Sequence, residues 1–190
     1  MQLWVGLGNP GPEYAMNRHN AGFQAIDAIA ALHGFSAPKK AYQGWAQDGR
    51  INGEKVTLLK PGTYMNESGR SIRAALDFFK LAPADITVFH DELDLPPLKV
   101  KVKTGGGTAG QNGLKSAVQH IGPDFRRVRI GIGHPGHRDR VTGHVLSNWH
   151  KTEIEPLSDL LGAIAAEAGW LARGDDTSFM NDIALRLGDG

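Results

Sequence analysis

The 190-residue chain offers few side chains that could drive a hydrolytic reaction. It contains no cysteine, no Gly-x-Ser-x-Gly elbow and no His-Glu-x-x-His pattern, so thiol, acyl-serine and zinc-hydrolase chemistries lack their usual residues. What remains is water activation. That chemistry needs a base that titrates near neutral pH, a partner to fix its tautomer, and neutral donors aimed at the oxyanion that forms on the substrate. An imidazole, whose pKa in water is about 6.5, a carboxylate and carboxamides would supply all three. The candidates are His19 in Asn17-Arg18-His19-Asn20-Ala21-Gly22, Asp91 in His90-Asp91-Glu92-Leu93-Asp94, and Asn9, Asn66 and Asn112, each in a loop beside Gly or Pro. Taken singly, each has an ordinary explanation. A histidine ahead of a helix caps or packs, carboxylates at a strand exit make a solvated turn, and asparagines beside glycine shape loops.

The elements that must position these residues follow from hydrophobic spacing. Leu3, Val5 and Leu7 mark a strand that runs into the turn-rich Asn9-Pro10-Gly11-Pro12, and Phe23, Ile26, Ile29, Ala30 and His33 mark a helix that Asn20 caps and Gly34 ends. His19 thus stands near the carboxyl end of a strand, where open α/β sheets bind ligands. Residues 41–51 and 54–59 read as strands of a hairpin about Asn52-Gly53. Ile72, Ala75, Leu76, Phe79 and Leu81 give a second helix that stops before Pro83, and residues 86–90 give a buried strand that delivers Asp91. Residues 98–103 alternate apolar and basic, which places Lys99, Lys101 and Lys103 in a stripe on one strand face. A glycine-rich loop over 104–110, a short helix over 112–120 and a strand over 128–132 follow. Residues 133–150, with Pro135 and four histidines, read as a loop. Thr152 and Glu155 form a capping-box pattern ahead of a long amphipathic helix that closes the fold. The expectation is an α/β fold in a single domain over 1–190, a twisted mixed β-sheet flanked by helices.

Composition narrows the function classes. With 41% hydrophobic and 22% charged residues and no run near 18 apolar residues, the chain predicts a globular protein without a membrane span. The amino terminus lacks the basic segment of a signal peptide, which predicts a cytoplasmic location. A net charge of +1 means that any contact with a polyanion is local. Gly6-x-Gly8-x-x-Gly11 after a strand resembles a dinucleotide fingerprint, but Pro10 and Pro12 stiffen the turn and no acidic residue ends a second parallel strand at the needed distance. His134, His137, His144 and His150 are separated by Pro and Gly and leave a metal geometry unspecified.

Five separated segments change the weight of the single residues. Gly6-Leu7-Gly8-Asn9-Pro10-Gly11, Tyr14 with Arg18-His19-Asn20-Ala21-Gly22, Lys60-Pro61 with Tyr64-Met65-Asn66 and Ser68-Gly69, His90-Asp91-Glu92-Leu93-Asp94-Leu95-Pro96-Pro97, and Gly105-Gly106-Gly107 with Asn112-Gly113-Leu114-Lys115 together resemble the bacterial peptidyl-tRNA hydrolase family. Arg129-Ile130-Gly131-Ile132-Gly133-His134-Pro135-Gly136 extends the match, and beyond residue 150 only the helical pattern supports it. The resemblance implies an esterase that cuts a peptide from the 3′-terminal ribose of tRNA with no metal or cofactor. It further implies a cytoplasmic monomer with tRNA as its partner. By the same similarity His19 is the general base, Asp91 holds its tautomer, and Asn9, Asn66 and Asn112 line the cleft. Tyr14, Tyr64 and Met65 lie against the peptide or the terminal nucleotide, and Lys103 and Arg129 hold the 5′ phosphate. The alternative on the same scaffold is an RNA-binding protein without catalysis. The chain departs from the family where many relatives have histidines and a glycine and it has Thr108, Ala109 and Gln111, and where Leu98 replaces the glycine after the double proline.

Overall fold

The computed structural model describes residues 1–188; Asp189 and Gly190, the end of the domain expected over 1–190, lie outside the described residues. Strand β1 (Gln2–Gly6) is buried on both faces from Leu3 onward, as a strand covered by helices on both sides must be. It pairs in parallel with β4 (Glu54–Pro61) on one side and β5 (Ile86–Glu92) on the other, and β5 pairs in parallel with β7 (Arg126–Gly131). Antiparallel strands finish both edges: β2 (Lys39–Ala41) and β3 (Gly44–Ile51) beside β4, and β6 (Val100–Thr104) beside β7. The seven-stranded mixed sheet has the order β2-β3-β4-β1-β5-β7-β6. Chain progress reverses about β1, and ligands bind at the carboxyl ends of strands flanking such a point.

Two apolar layers hold the helices to the sheet. On one face Trp4, Phe89 and Val128 meet Ile26 and Ile29 of α1 (Ala21–Leu32) and Leu160 and Ile164 of α5 (Ile154–Ala172). On the other, Leu3, Val5 and Val88 meet Ile72 and Leu76 of α2 (Ser68–Phe79) and Leu114 and Ala117 of α3 (Asn112–Ile121). Gly22 sets how closely α1 approaches. A Cβ on Gly22 would overlap the carbonyl oxygen of Phe89 and the backbone of Leu7, so only glycine lets the first turn of α1 rest on the ends of β1 and β5.

The expected elements form, with instructive differences. Asn52 and Gly53 take φ of 52° and 77°, the pair of positive values a type I′ hairpin needs. The expected strand over 41–51 is two strands, because Tyr42 and Gln43, both at φ 55°, turn the chain between β2 and β3. Helix α2 ends at Phe79 rather than at Leu81: Lys80 adopts φ 57°, and Leu81 N–H donates to Leu76 O at 3.0 Å, closing the last turn. Lys101 and Lys103 lie on β6, while Lys99 precedes it. Residues 133–150 are not loop throughout, since they contain α4 (Val141–Val145). The Thr152–Glu155 box does not form. The reciprocal pair is His150, whose ring accepts from Thr152 N–H, and Glu153, whose carboxylate accepts from His150 N–H at 2.8 Å. Glu153 also binds Arg18, so it satisfies two donors from a position that Glu155 does not occupy. The long helix α5 does not close the fold, because α6 (Asp176–Arg186) follows and buries Phe179 and Ile183.

Leu98, at φ 65°, and Ala109, at φ 49°, where the family resemblance implies glycine, both adopt the left-handed conformation that favours glycine. No helix among the described residues is long and apolar enough to cross a membrane.

Candidate active site

One cleft opens at the carboxyl ends of the parallel strands. It has a volume of about 260 Å³ and is lined by Asn9 after β1, His19 before α1, Tyr64, Met65 and Asn66 after β4, Asp91 and Glu92 on β5, and Gln111 and Asn112 at the start of α3. Val141, Thr142, Val145 and Leu146, in and just after α4, form the far wall.

His19 and Asp91, 72 residues apart in the chain, touch at the floor of this cleft. The imidazole Nδ1 lies 2.7 Å from Asp91 Oδ2, with His19 8% and Asp91 2% exposed. A carboxylate cannot donate, so this contact assigns the proton to Nδ1 and leaves Nε2 with its lone pair. Nε2 has no hydrogen-bond partner among the described residues. The arrangement fixes the tautomer and leaves one ring nitrogen able to accept a proton.

Asn9 is held from three directions. Its backbone N–H donates to Asn20 Oδ1 at 2.9 Å, its carbonyl accepts from Asn20 Nδ2 at 3.0 Å, and its own Oδ1 accepts from Met65 N–H at 2.8 Å. The last bond fixes the flip of the amide and leaves the Asn9 Nδ2 donor for the cleft. Asn20 therefore does not cap α1 with its side chain, as its place before the helix suggested. The buried Asn9 peptide claims that side chain instead. Asn66 and Asn112 are exposed on the cleft and offer donors directly to a ligand. Tyr64, 62% exposed, and Met65 form one wall, whereas Tyr14 sits in the 3-10 turn Pro12–Tyr14 and is not among the residues lining the cleft.

Basic residues gather beside the cleft. In the β6–β7 ladder Lys103 is opposite Arg127 and Lys101 opposite Arg129, which makes Lys103 and Arg129 diagonal neighbours on one sheet face. Arg129 reaches Glu92 at 3.9 Å, and Glu92 lines the cleft, so the basic patch and the cleft share a boundary residue. Burial holds the Glu92 carboxyl above its ordinary range despite Arg129 and Lys103. Arg127 is fully buried and donates to the carbonyls of Gly107 and Pro123, which anchors the glycine-rich loop leading to Gln111. The four histidines of residues 133–150 are engaged locally. His134 and His137 accept from Gly136 and Asp139 N–H, His144 Nε2 lies 2.9 Å from Ile132 O, and His150 caps the turn before α5.

Three contributors escaped the sequence reading. The far wall is an apolar face of a five-residue helix, too short for a periodic signal. Arg18 ties that region down: its guanidinium donates to Ser147 Oγ, to Asn148 O at 3.0 Å and to Glu153 at 2.9 Å. Gln111 contacts Asp91, and its position just before a helix was the only local hint.

A doubly covered mixed sheet with a buried histidine–carboxylate pair and carboxamides in a cleft at its switch point defines a hydrolase site. The sequence profile of the peptidyl-tRNA hydrolase family matches residues 3–187. The peptidyl-tRNA hydrolase of Sphingopyxis alaskensis is 72% identical over 187 residues, covering 98% of this chain and 99% of its own, and that of Rhizorhabdus wittichii is 67% identical over 189 residues, covering 100% of both. The crystal structure of peptidyl-tRNA hydrolase from Acinetobacter baumannii superposes with a TM-score of 0.90 at 44% identity, covering 96% of this chain and 94% of that one. The chain belongs to the peptidyl-tRNA hydrolase family, and its activity is the hydrolysis of peptidyl-tRNA.

Proposed function

We propose that the chain cleaves the ester between a peptide, or an N-blocked aminoacyl group, and the 3′-terminal ribose of tRNA, with His19 as general base and Asp91 as its orienting partner. The 2.7 Å contact between His19 Nδ1 and Asp91 Oδ2 carries this reading. His19 Nε2 takes a proton from water, and the oxygen attacks the ester carbonyl. Asp91 stabilises the imidazolium that forms, as a buried carboxylate does for a paired histidine. The negative charge on the tetrahedral oxygen is met by carboxamide N–H donors from Asn9, Asn66 and Asn112. Collapse of the intermediate expels the ribose oxygen, which receives the proton from His19. Neutral donors suit this task, because they strengthen as charge develops and impose no net charge on the ground state.

Tyr64 and Met65 provide a flat and a polarizable surface beside the base, suited to the terminal nucleotide or the peptide. Tyr14, in the loop that joins Asn9 to His19, is assigned to the same end of the substrate. Lys103 and Arg129 bind the 5′ phosphate, a contact that positions any tRNA without reading its sequence. The working unit is a cytoplasmic monomer, one domain that uses no metal or cofactor.

The test is hydrolysis of N-acetylated aminoacyl-tRNA by the wild type and by His19→Ala, with unblocked aminoacyl-tRNA as the second substrate. The substitution is expected to lower kcat about 10²- to 10⁴-fold. The wild type is expected to prefer the blocked ester. Equal rates for wild type and variant would remove His19 from the reaction.

A further inference from the structure

Asp91 has two carboxylate oxygens, and the proposed mechanism uses one. Oδ2 faces His19 Nδ1, while Oδ1 accepts from Gln111 Nε2 at 2.9 Å in a buried contact. Gln111 is 7% exposed, and its other polar atoms are also engaged. Its Oε1 accepts from Leu114 N–H at 2.6 Å, capping α3, and Nε2 also approaches Met65 Sδ at 3.4 Å. The cap settles the orientation of the amide. A backbone N–H can only donate, so the atom facing Leu114 is the oxygen and the atom facing Asp91 is the nitrogen, a donor. Both amide hydrogens and the oxygen are thereby assigned to protein partners. Gly113 is part of the fit, since a Cβ there would come within 2.5 Å of Met65 Sδ and 3.1 Å of Gln111 Oε1.

We infer that Gln111 is a positioning residue for the hydrolytic reaction: its amide holds the Asp91 carboxylate in the rotation that serves His19, and the same side chain fixes the helix end that carries Asn112. The inference rests on the reading of His19 and Asp91 as the working pair. A carboxylate bound at one oxygen can still rotate about its Cβ–Cγ bond. Bound at both, it cannot turn without breaking a buried bond, so the imidazole it orients stays aimed into the cleft. A carboxamide suits this place because it donates at every pH and carries no proton that titrates near neutrality. The dyad therefore has a support whose charge does not vary while the base cycles between its two forms.

Substitutions at Gln111 and at Asp91 separate this role from simple capping of α3. Gln111→Glu keeps an oxygen for Leu114 N–H but replaces the donor at Asp91 with a second carboxylate. Gln111→Met removes both bonds at similar volume. Asp91→Asn tests the dyad itself. With N-acetylated aminoacyl-tRNA as substrate, Gln111→Met and Gln111→Glu are each expected to lower kcat about tenfold or more with KM within about twofold. In Gln111→Glu the acidic limb of the kcat/KM profile is expected to move to higher pH by about one unit, because added negative charge near the imidazole favours its protonated form. Gln111→His, which in its neutral form can accept from Leu114 and donate to Asp91, is expected to recover most of kcat.

A structural cap alone would leave kcat of Gln111→Glu, which keeps the oxygen that Leu114 N–H needs, at the wild-type value. If Gln111→Met and Gln111→Glu keep wild-type kcat and pH profile while Asp91→Asn lowers kcat, the positioning role is wrong and the dyad stands. If Asp91→Asn itself retains wild-type kcat, the dyad reading falls and the role of Gln111 falls with it.

Discussion

Asn20 grips the peptide of Asn9 at both ends, accepting from its N–H at 2.9 Å and donating to its carbonyl at 3.0 Å. The two residues are 11 apart, separated by the turn-rich loop that contains His19, so the bond pair closes that loop on itself. Asn20→Ala would strand a buried donor and a buried acceptor, each costing about 1–3 kcal/mol. The expected result is a loss of about 2–4 kcal/mol in urea denaturation, with a fall in kcat even where the protein remains folded. A loss below about 0.5 kcal/mol would mean that water satisfies the Asn9 peptide equally well.

The pattern of residues 1–33 illustrates what a sequence makes legible. Alternating Leu3, Val5 and Leu7 and the helical spacing after Phe23 reveal the strand and the helix, because burial on a face imposes a period. The motif around His19 singles out the proposed base. The Asn20–Asn9 clasp carries no such signal, since an asparagine before a helix has a local use as a cap and a distant use as a clasp. Only the fold decides between them. The same holds for Gln111 and for the His150–Glu153 box, where the winning partner lies across space or two positions from the expected one.

Lys103 and Arg129 sit diagonally across the β6–β7 ladder, a spacing that lets two cations share one phosphate. Lys103→Gln combined with Arg129→Gln is expected to weaken tRNA binding and to reduce the slope of log K against log salt by about one to two. Turnover of a short aminoacyl ester lacking the tRNA body should change little. An unchanged salt slope would locate the phosphate contact elsewhere.

His90, beside Asp91 but pointing to the other face of β5, is fully buried, and its ring Nδ1 lies 2.8 Å from Asp91 O. Burial pushes its pKa down to about 4 from 6.5. Below pH 6.5 the unfolded chain takes up this proton, whereas the folded chain takes it up only near pH 4. The stabilisation is therefore complete above pH 6.5 and is lost progressively as pH falls towards 4. At about 1.4 kcal/mol per pH unit, the loss approaches about 3 kcal/mol across that window. His90→Asn keeps a donor for Asp91 O without a titrating ring. Its unfolding free energy is expected to fall by about 2 kcal/mol less than that of the wild type between pH 7 and pH 4.5. Parallel curves for the two proteins would exclude His90 as the site of proton uptake.

Ala109 holds φ 49° in the glycine-rich loop, a conformation that an L side chain adopts at a cost. Ala109→Gly is expected to raise stability by about 0.5–1 kcal/mol, because relief of that strain outweighs the added freedom of the unfolded chain. Thermal and urea denaturation would both register it. A decrease would show that the methyl group contributes contacts worth more than the strain.

The site draws on residues spread from Asn9 to Leu146, brought together only where the strands end. During its own synthesis this protein is a growing peptide esterified to tRNA, the very bond it attacks in other chains. A ribosome that has made the first 90 residues has produced the imidazole but not Asp91, Gln111, Asn112 or the wall of α4. The order in which the chain is made thus delays assembly of the site until most of the polypeptide exists.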